Sequence, residues 1–270
     1  MAGRLVVCAT PIGNLGDISE RLAQTLRSAD VVYVEDTRRT GLLLSHIGAS
    51  PEVRSFFIGN EGVRSGEIED RIRRGDTVAL VSDAGTPAVA DPGVLAVRAA
   101  RRAGGMVSVV PGPSAVTSAL AVSGFGGDRF AFEGFLPRKS GERVRSLASM
   151  VRENRPVVWF SSPRRVLIDL EDLTGHAGDD REICVARELT KQFEEVWWGS
   201  LRQAIEKWTA TEPRGEFTLV LAPGPTETVT LERAVELARE LTKQGASRSE
   251  AARTVAHDTG LARRSIYDGI

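Results

Sequence analysis

The chain has 270 residues, 41% hydrophobic and 26% charged, the composition of a soluble globular protein with one large or two ordinary domains. A formal net charge of −1 does not by itself announce a nucleic-acid binder, and no apolar run approaches the roughly 20 residues that span a bilayer, so no membrane partner is expected. Two cysteines and three scattered histidines make neither a disulfide framework nor a zinc pattern, so no metal is expected and Cys8 and Cys184 read as core residues. The N-terminus enters a strand almost at once, without the basic, apolar and cleavage segments of a signal peptide, so a cytoplasmic location is expected.

In chain order, 5–9 reads as a strand and 19–28 as a helix capped by Asp17 or Ser19. A strand at 31–34 and a helix through 42–46 follow, then a weaker strand at 53–58. Residues 61–74 read as a helix ended by Gly75, which tolerates the left-handed backbone of a C-terminal cap. A strand at 78–82, a helix at 93–103, a strand at 106–110 and a helix at 114–122 complete the series. Such alternation builds a mostly parallel α/β sheet.

The glycines of "SGFGGDRFAFEGFLPRK", 123–139, break the pattern, and a domain boundary is expected near Gly126. Beyond it come helices at 142–152, 164–173 and 201–208, and strands at 157–161, 183–188, 194–198 and 217–221. Two adjacent strands without an intervening helix point to a mixed sheet. After "APGPTET", 222–228, two or three short helices are expected, the second with a capping box made by Ser247 and Glu250. The expected domains are 1–125, 126–224 and a helical segment 225–270.

Three strands end in similar small-residue turns: "RLVVCATPIGN", "TVALVSDAGTPAVADPG" and "MVSVVPGPSA". Parallel sheets bind ligands beyond the carboxyl ends of their strands, where turns converge and helix N-termini point outward. No turn carries the lysine of a triphosphate loop, and the glycines of "ATPIGNLGD" do not form a dinucleotide fingerprint. What remains are backbone groups, small hydroxyls and the carboxylate of Asp83, which suit a purine nucleoside of modest charge. Ordinary turn chemistry accounts for any one of these motifs taken alone.

The blocks "ATPIGNLGDIS", "EDTRRTGLLL", "VSDAGTPAVADPG", "PGPSAVTSALAVSG", "FEGFLPRK", "ARELTKQFEEVWWG" and "GEFTLVL" occur in that order. Together they resemble the tetrapyrrole methylase family, and within it the members that methylate small-subunit ribosomal RNA. The resemblance implies two α/β domains with S-adenosylmethionine in the cleft between them, usually in a homodimer. It also implies methyl transfer to the ribose 2′-hydroxyl of a cytidine in the decoding region of 16S rRNA, presented free or in the 30S subunit.

By motif, the resemblance places the cofactor against Pro11, Gly13, Asp83, Ala84, Gly85, Thr86, Val89, Ser114, Ala115, Phe160 and Ser161. Asp83 belongs near its polar end or, alternatively, caps the following segment. Proton acceptors for the ribose hydroxyl are Glu35, Asp36, Glu133 or Glu188, and the cations for RNA are Arg38, Arg138, Lys139 and Lys191. From Arg138 to Arg165 eight basic residues face two acidic ones, and the tail adds Arg248, Arg253, Arg263 and Arg264 as RNA contacts. A solvated helix face or salt-bridge network explains the same charges. One departure stands out: the family often reads Tyr-Glu-Ser-Pro where this chain has Phe160, Ser161, Ser162 and Pro163, so no acid at that position is available for chemistry. The alternatives are a tetrapyrrole or protein side-chain methyltransferase of the same family, or a noncatalytic RNA-binding protein that retains the cleft.

Overall fold

Continuous β-branched runs separated by amphipathic stretches build two five-stranded sheets, followed by a helical tail. The structure is a computed structural model that describes residues 3–224 and 230–270. It forms two units, Met1–Pro223, which holds both sheets, and Gly224–Ile270.

Strands β1 (Arg4–Cys8), β2 (Val31–Val34), β3 (Glu52–Ser55), β4 (Thr77–Val81) and β5 (Met106–Val110) run parallel in the order β3-β2-β4-β1-β5. Helices α1 (Glu20–Ser28) and α2 (Thr37–His46) cover one face through Leu22, Leu26, Leu43 and Leu44. Helices α3 (Glu61–Arg74) and α4 (Val94–Arg102) cover the other through Ile68, Ile72, Ala96 and Ala99. Burial on both faces explains why β1, β2 and β4 are almost wholly apolar instead of alternating. Ser19 caps α1 by accepting the Leu22 N–H at 3.1 Å, whereas Asp17 lies in a short 3-10 turn, Leu15–Asp17. Helix α2 begins at Thr37, ahead of its apolar pattern, because Asp36 caps it.

The second sheet contains β6 (Ala131–Phe135), β7 (Val157–Ser161), β8 (Glu182–Arg187), β9 (Glu195–Ser200) and β10 (Phe217–Leu221) in the order β6-β7-β10-β8-β9. Strands β6 and β7 are parallel, while β10 is antiparallel to β7 and β8, and β8 to β9. The helices named next follow the chain, α5 (Ala115–Ser123), α6 (Ser140–Arg152), α7 (Val166–Ala177) and α8 (Leu201–Ala210). One face of the sheet packs on α6, α7 and α8, around Trp159, Trp208 and Phe217. The opposite face receives α5 and Ile12 of the β1 turn. Packing is therefore continuous across the change of sheet near Gly126: α5 follows the last strand of the first sheet but buries Val116, Ala119 and Leu120 against the second. Cys8 and Cys184 lie in these cores, where burial pushes their thiols up to about 12 and about 11.

The second unit has helices α9 (Leu231–Lys243), α10 (Arg248–Thr259) and α11 (Arg263–Gly269), packed through Ala234, Ala238, Ala251, Val255 and Ile266. Ser247 and Glu250 form the capping box of α10, and Gly260 ends it with φ of 70°. Most of the "APGPTET" turn lies outside the described residues. No described helix is long and apolar enough to cross a membrane.

Candidate active site

The carboxyl end of the first sheet faces the second across a cleft of about 430 Å³, within the range of small-ligand sites. Its lining includes Glu35 beyond β2, the Asp83–Thr86 turn with Val89, Ala90 and Asp91 beyond β4, and Ser114 and Ala115 beyond β5. From the second sheet come Phe160 to Pro163, Ala186, Leu189, Lys191 and Glu216 to Thr218. A second chamber of about 440 Å³ adjoins it, lined by Thr10 to Gly13, Leu15, Arg39, Thr40, Leu42, Leu43, Ser82, Asp83, Ala84, Lys191 and Glu216. Leu15 and Leu42 give this second chamber an exposed apolar rim.

The turn beyond β4 is held from both sides. Thr10 and Gly85 exchange backbone hydrogen bonds of 2.9 and 3.1 Å, joining the β1 and β4 turns. Asp83 accepts the Asp36 N–H at 2.9 Å and faces Arg39 at 3.5 Å, so it ties β4 to the start of α2. Ala88 and Ala90 have φ of 67° and 64°, conformations that L residues hold only where surroundings impose them, and such strain gathers at ligand sites.

Besides Glu216 on the wall shared with the second chamber, three carboxylates, Glu35, Asp83 and Asp91, line the first cleft. Burial, then the charges of Asp91 and Asp83, push Glu35 above its ordinary range; burial and the charge of Asp83 push Asp91 up. This acidic wall complements a ligand with a positive arm. It also opposes folding: a raised carboxyl contributes stability at low pH that is lost as pH rises through its folded value. Asp91→Asn is therefore expected to raise the melting temperature of the ligand-free protein by a few degrees at most at neutral pH. The gain should shrink as pH falls through the raised range and vanish below the ordinary carboxylate range, as a series of thermal melts across pH would read.

Asp36 differs from its neighbour. It caps α2, accepting the Arg38 N–H at 2.8 Å, and the Arg38 side chain holds its carboxyl below the usual range. It lines neither chamber and is a poor proton acceptor, so the structure separates it from Glu35. Glu133 projects from an irregularity in β6, exposed and outside both chambers. Among the residues expected to hold a cofactor, Pro11 and Gly13 line the second chamber and the others line the first.

Ser161 does not leave its strand end without an acid. Its hydroxyl donates to Asp169 at 2.5 Å, and Asp169 pairs with Arg143 at 2.8 Å, all three being nearly fully buried. Arg143 also meets Asp172 at 2.6 Å. Arg143 is thereby removed from the basic surface expected over 138–165, because its charge is neutralised inside the protein. Arg138, Lys139, Arg145, Arg152 and Arg164 remain exposed, and Arg38 is exposed but paired with Asp36 at 3.3 Å. In the second unit Arg263 donates to Ser249 at 2.8 Å, Arg264 lies 3.9 Å from Asp268, and Arg248 stacks on Tyr267.

Lys191 comes from the β8–β9 loop, where Glu188 and Thr190 have φ of 50° and 67°. Its ammonium donates to Glu188 at 2.7 Å and Glu216 at 3.0 Å. Two glycines make room: a Cβ on Gly13 would lie 2.3 Å from Lys191 Cγ, and one on Gly215 would lie 2.4 Å from Glu188 Cγ. Arg39, Asp91 and Glu216 carry no local signal that singles them out as site residues, although each lies inside a family block. No described group of three or more His, Cys, Asp or Glu residues has the arrangement of a metal site.

Residues 4–205 match the family described as Tetrapyrrole (Corrin/Porphyrin) Methylases. The chain is 41% identical over 268 residues to ribosomal RNA small subunit methyltransferase I of Synechocystis sp., covering 98% of this chain and 96% of that protein. It is 46% identical over 220 residues to the protein of the same name from Thermotoga maritima, covering 82% and 98%. A solved uroporphyrin-III C-methyltransferase from Thermus thermophilus, complexed with S-adenosyl homocysteine, shares the fold with a TM-score of 0.58 at 20% identity, covering 82% of this chain and 97% of that one.

Proposed function

This chain belongs to the tetrapyrrole methylase family, and we propose that it methylates small-subunit ribosomal RNA, transferring a methyl group from S-adenosylmethionine to the ribose 2′-hydroxyl of a 16S rRNA cytidine in the decoding region. The observation that carries this reading is the pair of adjoining chambers. One is a nucleoside-sized cleft with an acidic wall; the other is an open chamber with an apolar rim and the cation Arg39, suited to an acceptor with a base and an anionic backbone. The names of the near full-length relatives support the RNA acceptor.

Bound S-adenosylmethionine supplies an already activated methyl group. The Asp83–Thr86 turn, Val89, Ser114, Ala115, Phe160, Ser161 and Thr218 would hold it, with Ile12, Val116 and Leu189 as apolar wall. Glu35, Asp83 and Asp91 would face its positive charge. The protein's largest task is then alignment of the two reactants, worth up to roughly 7–11 kcal/mol of barrier. The exposed Arg138, Lys139, Arg145, Arg152 and Arg164 would hold RNA phosphates away from the reacting centre. A homodimer and a cytoplasmic location belong to the same proposal.

The test is to incubate the full chain with methyl-labelled S-adenosylmethionine and, separately, unmethylated 30S subunits, naked 16S rRNA or a tetrapyrrole. Label is expected in 16S rRNA and, after nuclease digestion, in 2′-O-methylcytidine by mass spectrometry. A labelled tetrapyrrole, a methylated base or unlabelled RNA would overturn the reading.

A further inference from the structure

The two chambers share six wall residues, four of them charged: Arg39, Asp83, Lys191 and Glu216. Donor and acceptor placed in adjoining chambers must react at this shared wall. Glu35 lines only the first chamber, and Asp36 lines neither. Asp83 is committed, one oxygen to the Asp36 N–H and the other toward Arg39. Lys191 and Glu216 remain.

An ammonium has three N–H donors. Those of Lys191 reach Glu188 and Glu216, and the third has no partner among the described residues. Burial alone would lower the Lys191 pKa, but hydrogen bonds to Glu188 and Glu216 more than reverse this, so it stays charged. Its position is enforced: Glu188 Oε1 also accepts the Glu216 N–H at 2.8 Å, and the vacant Cβ positions at Gly13 and Gly215 admit Lys191 and Glu188. Glu216 contacts Lys191 through Oε2, while Oε1 has no partner among the described residues and the side chain is 73% exposed.

Resting on the methyl-donor reading above, we propose that Lys191 and Glu216 are the catalytic pair at the acceptor oxygen. The third Lys191 N–H donates to that oxygen, and Glu216 accepts its proton. The O–H bond breaks toward the carboxylate, the oxygen's electron pair forms the bond to the methyl carbon, and the carbon–sulfur pair stays with sulfur. The donor's positive charge thus ends as a proton on Glu216, leaving neutral thioether and methylated product. Lys191 offsets negative charge as it develops on the oxygen.

The experiment compares Lys191→Gln, Lys191→Arg and Glu216→Gln in the full chain under saturating S-adenosylmethionine, with unmethylated 30S subunits. Lys191→Gln is expected to lower kcat by about 10²-fold or more, as loss of a preorganised donor does, with KM for 30S within about threefold. Lys191→Arg should recover part of the rate. Glu216→Gln should also lower kcat by about 10²-fold, within the range for a general base. Calorimetry with S-adenosylhomocysteine should show binding retained in each. In protein labelled with ¹⁵N-lysine, which has four lysines, the Lys191 Nζ signal should shift when a 16S rRNA fragment joins the S-adenosylhomocysteine complex.

A kcat within about threefold of the unsubstituted protein for both Gln variants overturns the assignment. So does a rise in KM at intact kcat, which would make Lys191 a phosphate anchor. If Lys191→Gln fails to fold, Glu216→Gln, which leaves the Lys191–Glu188 bond in place, decides by the same criterion. Absence of labelled RNA with the unsubstituted protein would instead sink the functional reading itself.

Discussion

Asp169→Ala is expected to lower the melting temperature of the protein by about 6–12 °C, the shift that ~3 kcal/mol produces in a unit of this size. The residue lies 2% exposed between Arg143 and Ser161, and its removal leaves a guanidinium that is 6% exposed with only the partly exposed Asp172 as counterion. Breaking a buried pair costs more than the pair contributes, because the remaining charge has lost its compensation and cannot reach water. Arg143 bridges α6 and α7, and Ser161 ends β7, so the loss also loosens the Phe160–Pro163 segment that lines the first chamber. A joint Arg143→Met, Asp169→Leu replacement should melt closer to the unsubstituted protein than either single change, since apolar side chains of similar volume need no partners. Thermal melts followed by circular dichroism read the whole series. A single-variant shift below about 2 °C would mean that the pair is relaxed by water and contributes little.

Gly13→Ala is expected to slow single-turnover methyl transfer by about 10²-fold while the fold survives, the penalty that a misplacement of roughly 1 Å exacts. A Cβ there would stand 2.3 Å from Lys191 Cγ and 3.1 Å from Thr190 Oγ1. A flexible lysine would ordinarily move aside cheaply. Here both ends are fixed: the backbone N–H donates to Glu188 O at 3.0 Å, and the ammonium is shared by two carboxylates. Relief would require giving up charge-assisted hydrogen bonds worth roughly 1.5–3 kcal/mol each. Gly215→Ala should act from the opposite side, since its Cβ would meet Glu188 at 2.4–2.6 Å. Gly62→Ala, where a Cβ meets nothing within 4 Å, is the control and should leave transfer unchanged. Equal rates for all three variants would mean that Lys191 can leave its observed position without consequence.

Elements with a strong local signature are legible in the chain's own periodicity. Strands at 106–110, 157–161 and 217–221 coincide with β5, β7 and β10, because β-branched runs bounded by glycine, proline or charge admit little ambiguity. Helix α3 ends at Arg74 with Gly75 at φ of 97°, and the capping box at Ser247 forms as its spacing indicates. Seven ordered blocks carry the family. Strand β6 escapes such a reading because Gly134, at φ of 62°, interrupts its alternation.

Local periodicity and short motifs thus suffice for where strands and helices form, for the distinctness of three strand-end turns, and for the family. How those pieces are used depends on their packing in three dimensions. Helix α5 is apolar around most of its circumference, so its residues name no face, and packing places it on the second sheet. Glu35 and Asp36 are neighbours in the chain, yet one lines the cleft and the other caps a helix. Arg143 belongs to a basic block but is buried on Asp169, and Glu216 gains its place at the shared wall only because β10 sets it beside Lys191. Burial, charge pairing and the meeting of distant turns depend on contacts between residues far apart in the chain, and local patterns do not encode those contacts.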